Sequence, residues 1–347
     1  MPDELSCPMP QSLDAECVTL AYGEGGRLSR RLVQERLLPR FGNPELSALG
    51  DAAVLTTSGR VAFTTDSYTV TPLFFPGGDI GRLAVYGTVN DLAVSGATPR
   101  WLSLSLMIEE GLTWTSLDRV LDSIQVAAKE ADVLIVTGDT KVVPRGAVDQ
   151  LFITTAGIGE FKSAVPDGPA ALQPGDVILV SGPIGQHGAA ILCAREDLGF
   201  EPPPLSDCAN LAPAFHHMQC QNLTPRAARD ATRGGVAAVL HEWSTVCGLG
   251  IDLEEQQLPV GNEVSAVCEL LGLDPLFLAC EGTFVAACPE DRVNEMLTNL
   301  HKFPVTQNAC VIGRVVPARP VAVCVRRAAG RMMPLDEPAG SPLPRIC

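Results

Sequence analysis

Aspartates stand at or just beyond the ends of apolar runs throughout this chain, and that placement constrains its architecture more tightly than any bulk property. "ALGDAAVL", "RVAFTTD", "GTVNDLAVSGA" and "DVLIVTGD" carry Asp51, Asp66, Asp91 and Asp139, and "RDATRGGV" adds Asp230 ahead of Gly234 and Gly235. These short β-branched segments, with "DQLFITTAGIGE" and "DVILVSG", alternate with helical stretches. The alternation predicts α/β or α+β layers and disfavours a helical bundle or a β-sandwich. In "TWTSLDRVLDSIQVAAKEA", Leu117, Val120, Leu121, Ile124, Ala127 and Ala128 fall on one helical face, and Thr115 with Asp118 is expected to cap its start.

A length of 347 residues predicts two domains. The stretch "FKSAVPDGPAALQPGD" is rich in Pro, Gly and Ala between two strand signals, so the boundary is expected there. The expected organisation is an extension over 1–18, a first domain over 19–165, a second over 166–335 and a tail over 336–347. The tail, "DEPAGSPLPRIC", has three prolines and no periodicity. Its twelve residues, if extended, span about 35–40 Å, enough to reach an active site.

The formal charge of −15, from 25 basic against 40 acidic residues, argues against nucleic acid or an anionic membrane as partner. Neither a secretory h-region nor an apolar run of membrane-spanning length occurs, which makes the cytoplasm the expected compartment. The twelve cysteines contain no CxxC pair, and Cys193, Cys268, Cys288 and Cys324 sit in apolar contexts as small buried side chains. Cys347 does not fit that description.

Carboxylates gathered at strand ends could converge on one crevice, where ligands of open α/β sheets bind. They are hard oxygen donors of the kind that hold Mg²⁺ with a nucleotide triphosphate. Neither GxxxxGK[ST] nor a GxGxxG after the first strand is present, which disfavours the P-loop and dinucleotide-binding readings. Gly182, Gly185 and Gly188 form a looser GxxGxxG that predicts close strand-to-helix packing, and "GEGGR" at Gly23, Gly25 and Gly26 reads as a flexible loop. Lys141, two residues after Asp139, is the candidate cation for a transferring phosphoryl group, and Glu281 in "ACEGTFV" the candidate proton acceptor. The five histidines show no metal-ligand spacing.

These segments together, above all "FTTDSYTVTPLFFPGGDIGRLAVYGTVNDLAVSGATPRWLSL", "IVTGDTKVVPRGAVDQLFITTAGIG", "AARDATRGGV", "CELLGLDPL" and "PRIC", resemble the HypE family of hydrogenase maturation factors. That family lies within the aminoimidazole-ribonucleotide synthetase-like superfamily, and the similarity spans residues 19–347. The resemblance implies a two-domain α/β (α+β) homodimer that binds ATP and Mg²⁺ and dehydrates a carbamoyl group to a cyano group. It also implies HypF as the carbamoyl donor and the HypC–HypD complex as the acceptor. Carried over residue by residue, Asp51, Asp66, Asp91, Asp139 and Asp230 are expected at the metal. Asn90, Thr140, Gly234 and Gly235 are expected beside them at the nucleotide, with Lys141, Glu281 and the modified Cys347 in catalysis. Asp51 is followed by Ala52 and Ala53 where many superfamily members pair two aspartates, and Tyr22 stands where the early glycine loop often begins with His. Two other readings are a free-substrate ATP enzyme of the superfamily and a scaffold whose Pro-rich tail is a docking peptide.

Overall fold

The computed structural model describes residues 16–23, 26–196 and 198–337. Helices α1 (Gly26–Leu32), α2 (Leu38–Phe41) and α3 (Pro44–Ser47) precede strand β1 (Val61–Tyr68). A small ribbon, β2 (Phe74–Phe75) with β3 (Gly78–Asp79), turns the chain into α4 (Ile80–Val94). Next come β4 (Thr98–Glu109), α5 (Trp114–Glu130), β5 (Leu134–Val143) and β6 (Leu151–Glu160). Four of these strands form a sheet in the order β1-β6-β4-β5, antiparallel except where β4 meets β5.

The remaining elements are β7 (Val177–Val180), α6 (Gln186–Glu196), α7 (Ala212–Cys220), β8 (Ala227–Asp230), α8 (Gly235–Cys247) and β9 (Gly250–Glu254). They continue through α9 (Asn262–Leu271), β10 (Phe284–Cys288), α10 (Val293–Leu300), β11 (Cys310–Val316), β12 (Val323–Arg326) and β13 (Met332–Pro334). Their strands form a second sheet, ordered β13-β12-β9-β11-β7-β10-β8. The mixed, layered architecture matches the expected fold class.

Helix α4 is apolar nearly all round, as a helix must be when it is covered on every side. One side lies on β1 and β6, and another meets α7 and β8 of the second sheet's layer. Asp79 caps it, accepting from the N–H groups of Gly81 at 2.8 Å and Arg82 at 3.0 Å. This wedge carries Asn90 and Asp91 into the junction between the two sheets.

Helix α5 buries the predicted face, Leu117, Val120, Leu121, Ile124, Ala127 and Ala128. Its cap differs from expectation: Thr113, two residues earlier than Thr115, accepts from the Ser116 N–H at 3.1 Å. Asp118 is engaged instead by Arg36 and Arg40, from the segment leading into α2 and from α2 itself. Cys193, Cys268, Cys288 and Cys324 are buried, and the ten described cysteines are all free. Among the described residues no helix is long and apolar enough to cross a membrane.

Register across the first sheet fixes what each face presents. The rows Thr64–Gly157–Leu102–Ile135, Asp66–Thr155–Leu104–Gly138 and Tyr68–Ile153–Leu106–Thr140 share the face covered by helices. The intervening rows, Phe63–Ile158–Trp101–Leu134 and Ser67–Thr154–Ser105–Asp139, therefore point the other way. Phe63 is 69% exposed on that second face, with Met107 and Leu134 also exposed.

Candidate active site

Three of the predicted aspartates meet where the two sheets join. Asp66 lies near the end of β1, Asp91 near the end of α4, and Asp230 is the last residue of β8. The Thr64 hydroxyl donates to Asp91 at 2.7 Å, which fixes that carboxylate against β1. Glu281 joins them from the turn before β10, because Phe284 pairs with Asp230 and the Ala231 N–H donates to the Thr283 carbonyl at 3.0 Å. Glu281 is 4% exposed, and its Oε1 has no hydrogen-bond partner.

Burial raises the proton affinity of every member, and repulsion between carboxylates adds to it at Asp66, Asp230 and Glu281. Burial pushes Asp66 up, helped by Asp91 and opposed by Arg233 and the Tyr68 hydroxyl. Burial raises Asp91 as well, against the Thr64 hydrogen bond and Arg229. Asp230 is pushed up to about 7, first by burial and then by Asp91 and Asp66. Glu281 lies well above the ordinary carboxylate range through burial, then Asp230, Asp207, Asp66 and Asp91. A cluster of this kind is held at a cost to the fold and is relieved by a cation or a proton.

The turn after β8 supplies the opposite polarity. Gly234 and Gly235 both have positive φ, +77° and +60°, at the N-terminus of α8. A Cβ on Gly235 would stand 2.5 Å from the Leu276 carbonyl oxygen, so only glycine lets the helix start this close to the segment leading to Glu281. The N-terminus of α8, where the Gly235 N–H itself donates to the Thr232 carbonyl at 2.9 Å, and the exposed Arg233 thus flank the carboxylates.

The remaining predicted residues do not gather there. Asp139 and Lys141 project from the open face of the first sheet, opposite to Asp66. Asp139 is three strands from Asp66, about 14 Å across the sheet. Asp51 is exposed in the loop between α3 and β1. Single-crevice convergence of all five aspartates within one chain is therefore corrected, because the period-2 alternation of the strands sends Asp139 to the other face. Among the described residues no group of three or more His, Cys, Asp or Glu side chains forms a ready metal centre. Thr140 belongs to the helix-side row, and with Gly138, Asp139 and Lys141 it lines a groove of about 550 Å³ under Gly23, Gly26, Ala52 and Ala53. Cys347 lies outside the described residues.

Asn90 is a second correction. It is 1% exposed, and its amide is spent inside the chain: Nδ2 donates to the carbonyls of Ala209 at 2.9 Å and Glu281 at 3.4 Å, and Oδ1 accepts from the Leu211 N–H at 2.8 Å. It ties α4 to two loops, with both Nδ2 hydrogens and one Oδ1 lone pair engaged inside the chain. Gly185 and Gly188 pack closely, but against a loop and not the predicted strand: a Cβ on either would lie 3.1 Å from Leu278, and on Gly188 also 3.1 Å from the Ala279 nitrogen. Asp207, in the irregular "PPPLSDCAN" loop, is a half-buried carboxylate beside Glu281 that sequence reasoning missed. Its only signal was an acidic residue in an otherwise small and apolar segment.

Two family models cover most of the chain: the AIR synthase related protein N-terminal domain matches residues 49–161, and the corresponding C-terminal domain matches 173–325. The carbamoyl dehydratase HypE of Escherichia coli K12 is 47% identical over 336 residues, covering 95% of this chain and 99% of that protein. This chain belongs to the HypE family. A HypE structure solved in complex with ATP superposes with a TM-score of 0.91 at 44% identity, covering 95% of this chain and 99% of that one. A HypE chain from a solved HypE–HypF complex superposes with a TM-score of 0.77 at 42% identity, covering 88% and 99%. The HypE fold thus accounts for both sheets and for the junction at which the carboxylates meet.

Proposed function

We propose that this chain is an ATP-dependent carbamoyl dehydratase that converts an S-carbamoyl group on Cys347 into an S-cyano group, for the cyanide ligands of nickel–iron hydrogenase. The observation that carries the reading is Glu281, a buried carboxylate whose Oε1 is unpartnered among three other carboxylates at the N-terminus of α8. The donor set fits a hydrated Mg²⁺ carrying phosphates, because Mg²⁺ keeps several waters and needs only one or two carboxylates from a protein. Asp66, Asp91 and Asp230 would hold it, and Gly234 and Gly235 would present the α8 amides to phosphate oxygens.

In the balanced reaction, ATP supplies the phosphoryl group that converts the carbamoyl oxygen into a leaving group; ADP and phosphate are released, and nitrogen gives up two protons. Glu281 is the base for one of them, and the departing phosphate carries the other: a carboxylate whose affinity is raised by burial accepts a proton near neutral pH far better than an exposed one. Carbamoyl delivery by HypF, onward transfer to HypC–HypD and a cytoplasmic setting complete the proposal. The HypE–HypF complex of a relative supports the first of these.

A homodimer closed across the open face of the first sheet belongs to the same reading. The row Phe63–Ile158–Trp101–Leu134 is apolar on all four strands, and both its ends are exposed. Asp139 and Lys141 share that face, so a second copy closed across it would cover both residues. Phe63→Asp is expected to convert the dimer into monomers in sedimentation velocity; an unchanged mass at low micromolar concentration would remove this face as the interface.

The enzymatic reading is tested by coupling. Phosphate release is expected only after the chain has been carbamoylated. Equal release from uncarbamoylated protein would favour a free-substrate ATP enzyme.

A further inference from the structure

Glu281 sits in neither a helix nor a strand, so what aims its side chain is the set of contacts made by its own backbone. Those contacts converge on one segment. The Glu281 N–H donates to Asp207 Oδ1 at 3.1 Å, and the Gly282 N–H donates to Asp207 Oδ2 at 3.0 Å. The Glu281 carbonyl accepts from the Ala209 N–H at 3.3 Å and from Asn90. The two segments press together so closely that a Cβ on Gly282 would lie 1.8 Å from the Asp207 carbonyl oxygen.

We propose that Asp207 is the positioning residue for Glu281: its two carboxylate oxygens clamp the consecutive amides of Glu281 and Gly282 and so hold the base side chain at the Asp66–Asp91–Asp230 cluster. The claim rests on the assignment of Glu281 as base. Only a carboxylate offers two acceptors to two parallel N–H groups; an asparagine there satisfies one amide and turns its own N–H₂ against the other. A half-buried charge beside other carboxylates is an expensive way to brace a loop, and Asp207 is itself raised to about 6, chiefly by desolvation, even with the amide bonds in place. That expense is understandable where the loop carries a group that must be aimed to within a fraction of an ångström.

The test uses full-length protein carbamoylated on Cys347, with single-turnover loss of water followed by mass spectrometry, ATP affinity measured by calorimetry, and hydrogen exchange read at the 281–282 amides. Asp207→Asn is expected to slow turnover by about 10- to 100-fold with ATP affinity near that of the parent. Exchange at the two amides is expected to accelerate. In the Glu281→Gln background, Asp207→Asn is expected to add little, because a residue acting only through another is not additive with it.

Equal slowing in both backgrounds, or a loss of thermal stability with normal turnover per folded molecule, would overturn the inference. If Asp207→Asn does not fold, Asp207→Glu applies the same test, since it keeps both acceptors and displaces them by one methylene. It is expected to slow turnover less and to be equally non-additive with Glu281→Gln, and additivity overturns the claim. Normal turnover in Glu281→Gln alone defeats the base assignment, and the positioning claim with it. A slow Glu281→Gln beside a normal Asp207→Asn defeats only the positioning claim.

Discussion

Replacing Cys347 with alanine is expected to abolish cyano-group formation while leaving ATP binding near that of the parent protein. The two effects separate because the carboxylates and the α8 N-terminus that form the proposed nucleotide site belong to the two-sheet body. In the proposed reaction the thiol contributes only the covalent handle for the substrate. Attachment matters for rate as well as identity: a substrate tethered to its own enzyme meets the site at an effective concentration of order millimolar with no bimolecular encounter. Calorimetry with ATP and an assay for product in the same variant decide the matter. Product from the alanine variant would mean that the carbamoyl group travels on something other than this cysteine.

Glu281→Gln is expected to lower the rate of dehydration by about 10²- to 10⁴-fold, the usual worth of a positioned general base. Glutamine keeps the size of the side chain and can still accept a hydrogen bond, but it cannot take up a proton. ATP affinity should hold or improve, because the substitution removes one negative charge from a site crowded by Asp66, Asp91 and Asp230. A parallel fall in affinity and rate would place Glu281 among the nucleotide ligands. An unchanged rate would leave the unpartnered Oε1 without a catalytic purpose.

Much of this was legible in the sequence because it is local. The apolar face of α5 follows from the 3.6-residue period, and the glycine spacing at Gly185 and Gly188 marks a close approach, though to a loop and not to a strand. Asp66, Asp91 and Asp230 could be named because acids at element ends beside small residues are a local pattern too. What escaped depends on register and on loops. Whether Asp139 shares a face with Asp66 is decided by pairings between β1, β6, β4 and β5, where a shift of one residue reverses the answer. Asn90 is expected at the nucleotide through the family resemblance, yet one step along α4 from Asp91 turns it by 100° into the second layer. Asp207 lies in a proline-rich loop with no period to read, and its partners are 74 and 75 residues away.

The order of the second sheet was equally out of reach. Its β7 lies between β11 and β10, strands more than a hundred residues later in the chain. Such pairings are set by the whole core and leave no trace in a short window.

The central claim, that this fold dehydrates a group carried on its own cysteine, is tested most directly by the mass of the intact protein. After incubation with the carbamoyl donor system, the chain should gain one carbamoyl group on Cys347. After addition of ATP, the same species should lose the mass of one water. A carbamoylated chain that consumes ATP without that loss, or a gain that maps to another residue, would contradict the account.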